Sequence, residues 1–344
     1  MAGVDGVRSR GRRRGEEGTA HGRRGVPWIR WTRLLLAVLV TAAVVVPLTA
    51  AARPGIPAPA PADLGPLTAK TLEKAYAANR ANAALASRMA AAHGDRHRAA
   101  ADRRLAASSR RLLAFDGRGS GRATEVFGDL AHADRVAVLV PGSDTSLDTY
   151  ERFRAGAAAL HQRLTSTAPA GTRTAVVAWL GYTTPGTIST TAITPARADE
   201  AAPELRGFLR ELRTVSGPEV HVALLCHSYG SVVCGRAAPR LDVDDIALLG
   251  SPGTGADSAA DLHTRARVWA ARGADDWVAG VPHVSADLFG TTVGFGTDPV
   301  SPSFGARVFS AGAGGHSDYF GPGSVSLANL ARIVLGDTTE VTRA

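Results

Sequence analysis

After about residue 111 the chain settles into short apolar runs separated by amphipathic stretches, a pattern that predicts a mostly parallel sheet with helices on both faces. Two runs, Leu112 to Asp116 and Arg122 to Phe127, flank the Gly-rich stretch 117–121 and read as an opening hairpin. Arg135–Val140 reads as a buried strand, Asp148–Leu164 as a helix, Thr174–Trp179 as a strand and 197–215 as a helix. Further strands are expected at Val220–Leu225, Asp245–Leu249, Val268–Ala271 and Ala306–Ser310, with a last helix at Val325–Leu335. The fold class is therefore α/β, and residues 112–338 form the expected main domain, leaving 339–344 as a tail.

Upstream of this domain the pattern differs. Residues 67–111 are Ala-rich, with Leu72, Tyr76, Asn79, Ala83, Ala86 and Met89 recurring at helical spacing and Gly94 as a break, so two helices are expected. Their weak apolar stripe is expected to pack on the following domain, a partner-binding hairpin being the alternative. Residues 53–66 hold five prolines and read as a solvated linker.

Charge changes the picture only at the start of the chain. The 344 residues carry a formal charge of +8, but nine arginines against three acidic residues put +6 into residues 1–52. The near-neutral remainder has no electrostatic footprint for a polyanion, which argues against nucleic acid as a partner. The arginines run into an apolar segment from Leu34 to Leu48 and then Ala50, Ala51 and Ala52, the order of regions in a secretory signal. The same segment is nearly long enough to remain as a membrane anchor, and either way the positive side stays in the cytoplasm and the rest is exported.

The chemistry concentrates in Val220-His-Val-Ala-Leu-Leu-Cys-His-Ser-Tyr-Gly230, a strand, a sharp turn and a helix joined at Ser228. This is a nucleophile elbow with Cys226 at the position of the first glycine. Small residues flank such a serine because its strained backbone leaves no room for bulk. A serine hydroxyl needs a base and an orienting acid, expected downstream in the order acid then histidine. Asp276 follows the strand ending at Ala271 and is the expected acid, with Asp275 as the alternative. His316 follows the next strand and is the expected base; His283 stands too close to the acid, and His227 is expected to point away from the cleft. Oxyanion donors are expected from the backbone amides of Tyr229 and Ser143, the latter in the loop Pro141-Gly142-Ser143. The loops 181–195 and 279–305 are expected to shape the pocket, with Phe289, Phe295 and Phe304 either lining an apolar site or packing beneath the loop. Cys226 and Cys234 read as two small buried thiols, a disulfide being the other possibility, and neither has metal-ligand spacing.

Val138-Leu-Val-Pro-Gly142, Trp179-Leu-Gly-Tyr182, His227-Ser-Tyr-Gly230, Leu249-Gly-Ser-Pro-Gly253, Asp275-Asp276, His316-Ser317 and Asn329-Leu330 together resemble the actinobacterial α/β-hydrolase family catalogued as a domain of unknown function. The likeness covers roughly residues 110 to 336, with a looser match over the helices upstream, and implies the fold and Ser228, Asp276 and His316 as catalytic residues, but no substrate. The expected activity is hydrolysis of a small-molecule or lipid carboxylic ester through an acyl-enzyme, without a cofactor or a metal. Acyl transfer to an envelope acceptor and a catalytically silent fold serving as an interaction module are the alternatives.

Overall fold

The computed structural model of the chain describes residues 55–187, 189, 194–283, 285–288 and 291–344. The expected signal or anchor at 1–52 and Phe289 lie outside these residues, and among the described residues no helix is long and apolar enough to cross a membrane. Strands β1 (Leu112–Asp116), β2 (Arg122–Gly128), β3 (Arg135–Val140), β4 (Thr174–Leu180), β5 (His221–His227), β6 (Asp245–Leu249), β7 (Arg267–Ala271) and β10 (Arg307–Val308) form one sheet in the order β1-β2-β4-β3-β5-β6-β7-β10. Only β2 runs antiparallel to its neighbours; β3 to β7 and β10 pair in parallel.

Alternate residues of the central strands feed two separate cores, which is why these strands are apolar almost throughout. Val136, Val138, Val222, Leu224, Ile246 and Leu248 pack beneath α4 (Ala196–Ser216) and α5 (Gly230–Ala237). Ala137, Leu139, Ala223, Leu225, Ala247 and Leu249 face α3 (Tyr150–Thr167) and α6 (Val325–Leu335) on the other side. The chain leaves β3 for β4 on one side and returns to β5 on the other, so the C-terminal edges of β3 and β5 form the crevice where such sheets bind ligands.

The two upstream helices are α1 (Leu72–Ala92) and α2 (Arg96–Leu105), and α1 packs on β1, where the Asn79 amide donates to the Leu113 carbonyl at 2.8 Å. One expectation is corrected. The linker is not simply solvated: Ala58 packs against the cluster of Ala83, Ala86 and Phe115, and Asn82 donates to the Ala60 carbonyl at 2.7 Å. The tail is tied down: Phe309 bridges Arg343 and the Ser310 amide donates to the Thr342 carbonyl at 2.9 Å, which extends the sheet edge beyond a two-residue β10. Within 279–305 the chain forms a hairpin, β8 (Ser285–Leu288) with β9 (Thr291–Gly294), while Phe295 and Phe304 are core residues.

Cys226 and Cys234 are also corrected: they are joined in a disulfide. The elbow folds α5 straight back over β5, so the two side chains meet on the same face with their Cα atoms 6.4 Å apart, within bonding range. Eight residues of separation along the chain do not reveal that geometry.

Asp102 on α2 is 1% exposed, and its Oδ1 has no hydrogen-bond partner among the described residues. Burial pushes its carboxyl up from 3.8 to about 7, further than the nearby Arg98 draws it down. The folded protein thus holds a proton that the unfolded chain releases near 3.8, so stability falls as pH rises from about 4 to about 7 and is level above that. Asp102→Asn is expected to gain stability at pH 8 in urea melts, by an amount that shrinks toward pH 4. A gap that is the same at both pH values would contradict this.

Candidate active site

Ser228 sits one residue past β5 with φ +53°, a conformation that L-residues rarely adopt and that lifts the hydroxyl off the sheet edge. Its amide donates to the Leu249 carbonyl at the end of β6, at 2.9 Å, which pins the elbow to the neighbouring strand. Gly230 is required by close approach: a Cβ there would lie 2.6 Å from the Val140 carbonyl oxygen and 2.7 Å from that of Pro141. Gly142, in the loop after β3, presses against the serine itself, where a Cβ would fall 2.6 Å from Ser228 Cβ.

Three side chains from three strand ends meet here. The Ser228 hydroxyl lies 2.9 Å from His316 Nε2, and His316 Nδ1 lies 2.9 Å from Asp276 Oδ1. Because a carboxylate only accepts, Nδ1 carries the proton and Nε2 is free to accept from the serine. Asp276 is 2% exposed and also accepts from the Val278 amide at 2.9 Å and from the Tyr319 hydroxyl. Burial alone would raise its carboxyl, but the bonds from His316, Tyr319 and Val278 outweigh it and hold the group at about 2. Asp275 is exposed, and His283 lies elsewhere, its Nε2 3.3 Å from the Ser251 carbonyl oxygen.

Ser143 lines the cleft above Ser228, and Tyr229 caps α5. Among the described residues neither backbone N–H donates to a protein acceptor. The cleft measures about 720 Å³, with Phe153, Trp277, Phe320 and Pro322 on its walls and Thr149 and Arg152 on its polar side. These walls come from α3, from the segment after His316 and, at Trp277, from the residue after Asp276. Of the two loops expected to shape the pocket, Thr187 of 181–195 lines the cleft, and among the described residues of 279–305 none does. Among the described residues no group of three or more His, Cys, Asp or Glu is placed to hold a metal ion.

Three neighbours of this constellation were not legible as such. His227 does not point away: its ring lies 4.8 Å from that of His316, and its Nε2 is 2.6 Å from the His316 carbonyl oxygen. Burial pushes its imidazole down to about 4, helped by repulsion from His316, so at neutral pH it is uncharged and donates to that carbonyl. Tyr319 bonds Asp276 and accepts from the Gly273 amide at 3.0 Å, and burial followed by the bond to Asp276 raises its phenol. Trp277 lies over His316 with ring centroids 4.6 Å apart while 56% exposed. The sequence does signal Tyr319 weakly, through its place three residues beyond His316.

The order of strands, the elbow at the end of β5 and an Asp and a His after the last two strands define the class: an α/β-hydrolase fold. Residues 116–286 match the family described as Alpha/beta hydrolase. The chain's relatives include an uncharacterized protein of Mycobacterium tuberculosis, 31% identical over an alignment of 256 residues that covers 65% of this chain and 38% of the relative. An uncharacterized Mycobacterium bovis protein is 32% identical over 144 residues, 39% of this chain and 53% of its own length. The chain thus spans well under two thirds of the curated relatives it matches. Among solved structures it is similar to the esterase PE8 (TM-score 0.41, 18% identity, 60% of this chain and 95% of that one). It is also similar to an α/β serine hydrolase without a lid from Xanthomonas campestris (TM-score 0.42, 15% identity, 67% and 95%).

Proposed function

We propose that this protein is an exported serine hydrolase that cleaves a carboxylic ester through an acyl-enzyme on Ser228. The observation that carries the reading is the unbroken chain of two 2.9 Å contacts from the Ser228 hydroxyl through His316 to Asp276, at the floor of a largely apolar cleft. His316 Nε2 takes the hydroxyl proton as Ser228 attacks the carbonyl carbon. The oxyanion is received by the Ser143 and Tyr229 amides, and the alcohol leaves with the proton from His316. A water then attacks the acyl carbon, again giving its proton to His316, and frees the acid and the serine. Asp276, ionised throughout the working range, stabilises the imidazolium in both halves. No cofactor enters these steps.

A cleft of about 720 Å³ lies in the range that takes drug-sized ligands, and its aromatic walls favour an apolar acyl group. Each buried methylene contributes about 0.8 kcal/mol. Medium-chain p-nitrophenyl esters are therefore expected to be cleaved with higher kcat/KM than the acetate, and Ser228→Ala with neither. Equal rates along the series would remove the apolar-acyl reading, and an ester formed with an added alcohol would turn hydrolysis into acyl transfer.

Export is supported by the Arg-rich and apolar order of residues 1–52 and by the Cys226–Cys234 disulfide, a bond that persists in oxidising compartments. Through that segment the membrane is a partner if it stays uncleaved. Recovery of the protein from the cytoplasmic fraction alone would remove this half of the proposal.

A further inference from the structure

The family match begins at residue 116, which leaves α1 and α2 outside it and without a role in the chemistry described above. A buried arginine supplies one. Arg98 on α2 is 2% exposed, whereas Arg96, Arg103 and Arg104 on the same helix are exposed. Its guanidinium donates to both carboxylate oxygens of Asp148, each at 2.9 Å, and to the carbonyls of Gly117 and Gly119, each at 3.1 Å. A guanidinium is costly to bury and is retained only with such a full set of partners.

One of those partners, Asp148, lies on the loop that matters, and the two glycine carbonyls belong to the turn between β1 and β2. Residues 141–149 join β3 to α3 and present Gly142 and Ser143 to Ser228. One flank of this loop is held by 185–187, where the Asp144 amide donates to Pro185 at 3.0 Å and the Thr187 amide donates to the Asp144 carboxylate at 3.1 Å. The other flank is plugged into the upstream helices by consecutive residues. Leu147 is buried with Ala83, Ala86, Leu105 and Phe115 and donates its amide to Ser120 at 3.0 Å; Asp148 takes Arg98. Asp144 between the flanks has φ +57°, a conformation that needs support from both sides.

We infer that α1 and α2 clamp the oxyanion loop, with Arg98 as the positioning residue that fixes the Ser143 amide over Ser228. The inference rests on the serine-hydrolase reading for its effect on rate, but the clamp itself is a statement about the loop. Oxyanion donors act only when aimed within a few tenths of an ångström, so a loosened loop costs rate without costing substrate affinity.

The test uses the full chain with Arg98→Met and, because that variant leaves Asp148 unpaired and can fail to fold, Asp148→Asn beside it. Hydrogen exchange is expected to rise about tenfold or more in the peptide covering 141–149 while the β5 and β6 amides stay protected. In the same variants kcat is expected to fall about 10- to 100-fold with KM unchanged. The affinity for a trifluoromethyl ketone, whose adduct places an oxyanion in the hole, should fall in parallel with kcat/KM. A lowered melting temperature with loop exchange, kcat and ketone affinity all at the wild-type level would overturn the clamp and leave Arg98 merely structural. If the wild type cleaves no ester, the hydrolase reading fails while the exchange data still decide the clamp.

Discussion

Asp276→Asn is expected to lower kcat by about 10³- to 10⁴-fold while Asp275→Asn leaves it unchanged. The amide keeps the shape of the carboxylate, and its oxygen still accepts from the Val278 amide and His316 Nδ1, so geometry alone predicts a small effect. What is lost is the charge. In the wild type the carboxyl is held at about 2, so it is ionised whenever His316 takes the serine proton. The neutral amide no longer stabilises that imidazolium, and its NH₂ faces the Tyr319 hydroxyl that formerly donated to a carboxylate. Asp275, one residue away, is exposed and touches none of this. Steady-state rates of the two variants on a p-nitrophenyl ester decide the matter, and equal losses would refute the assignment. The acid limb of the wild-type rate profile should then show a single ionisation above pH 4, since the carboxyl is already charged there. Stability follows the same sign: a carboxyl depressed from 3.8 to about 2 stabilises the fold above pH 4, and that contribution is lost as pH falls toward 2.

The second large effect is expected from a single added methyl group. In Gly142→Ala the new Cβ would lie 2.6 Å from Ser228 Cβ, 3.0 Å from the His227 carbonyl oxygen and 3.2 Å from Ser228 Oγ. Two of these neighbours are main-chain or main-chain-fixed atoms of the elbow, which cannot retreat because Ser228 is bonded to Leu249 and α5 packs against β3 through Gly230. The loop must therefore move outward and carry the Ser143 amide with it. A kcat loss of about 10²- to 10³-fold is expected, the effect of removing one oxyanion donor. Wild-type kcat in a folded Gly142→Ala protein would show that this loop plays no part in the chemistry.

Much of this architecture was readable because its physics is local. β1, β3, β6 and α6 fall where apolar runs and their breakers put them, since a parallel strand buried on both faces leaves a continuous apolar signature. Ser228, Asp276 and His316 were placed by their distances past strand ends, and the structure brings those three side chains together. What escaped depends on packing between distant segments. The disulfide needs the angle at which α5 returns over β5, and the cleft walls at Phe153 and Phe320 need α3 and the segment after His316 to face each other. Arg98 is one of four arginines on α2 and nothing local distinguishes it; its role comes from the loop at Asp148, 50 residues on, that packs onto it. His227 rests beside His316, a contact made with a segment 89 residues further on that no local pattern reveals.

The most direct measurement of the central claim is intact-mass analysis of the folded full chain after exposure to a fluorophosphonate. An activated hydroxyl displaces fluoride and retains the phosphonyl group, so the wild type is expected to gain one adduct, mapped by peptide sequencing to Ser228, and Ser228→Ala is expected to gain none. A folded wild type that stays unmodified, or an adduct that persists in Ser228→Ala, would contradict the account.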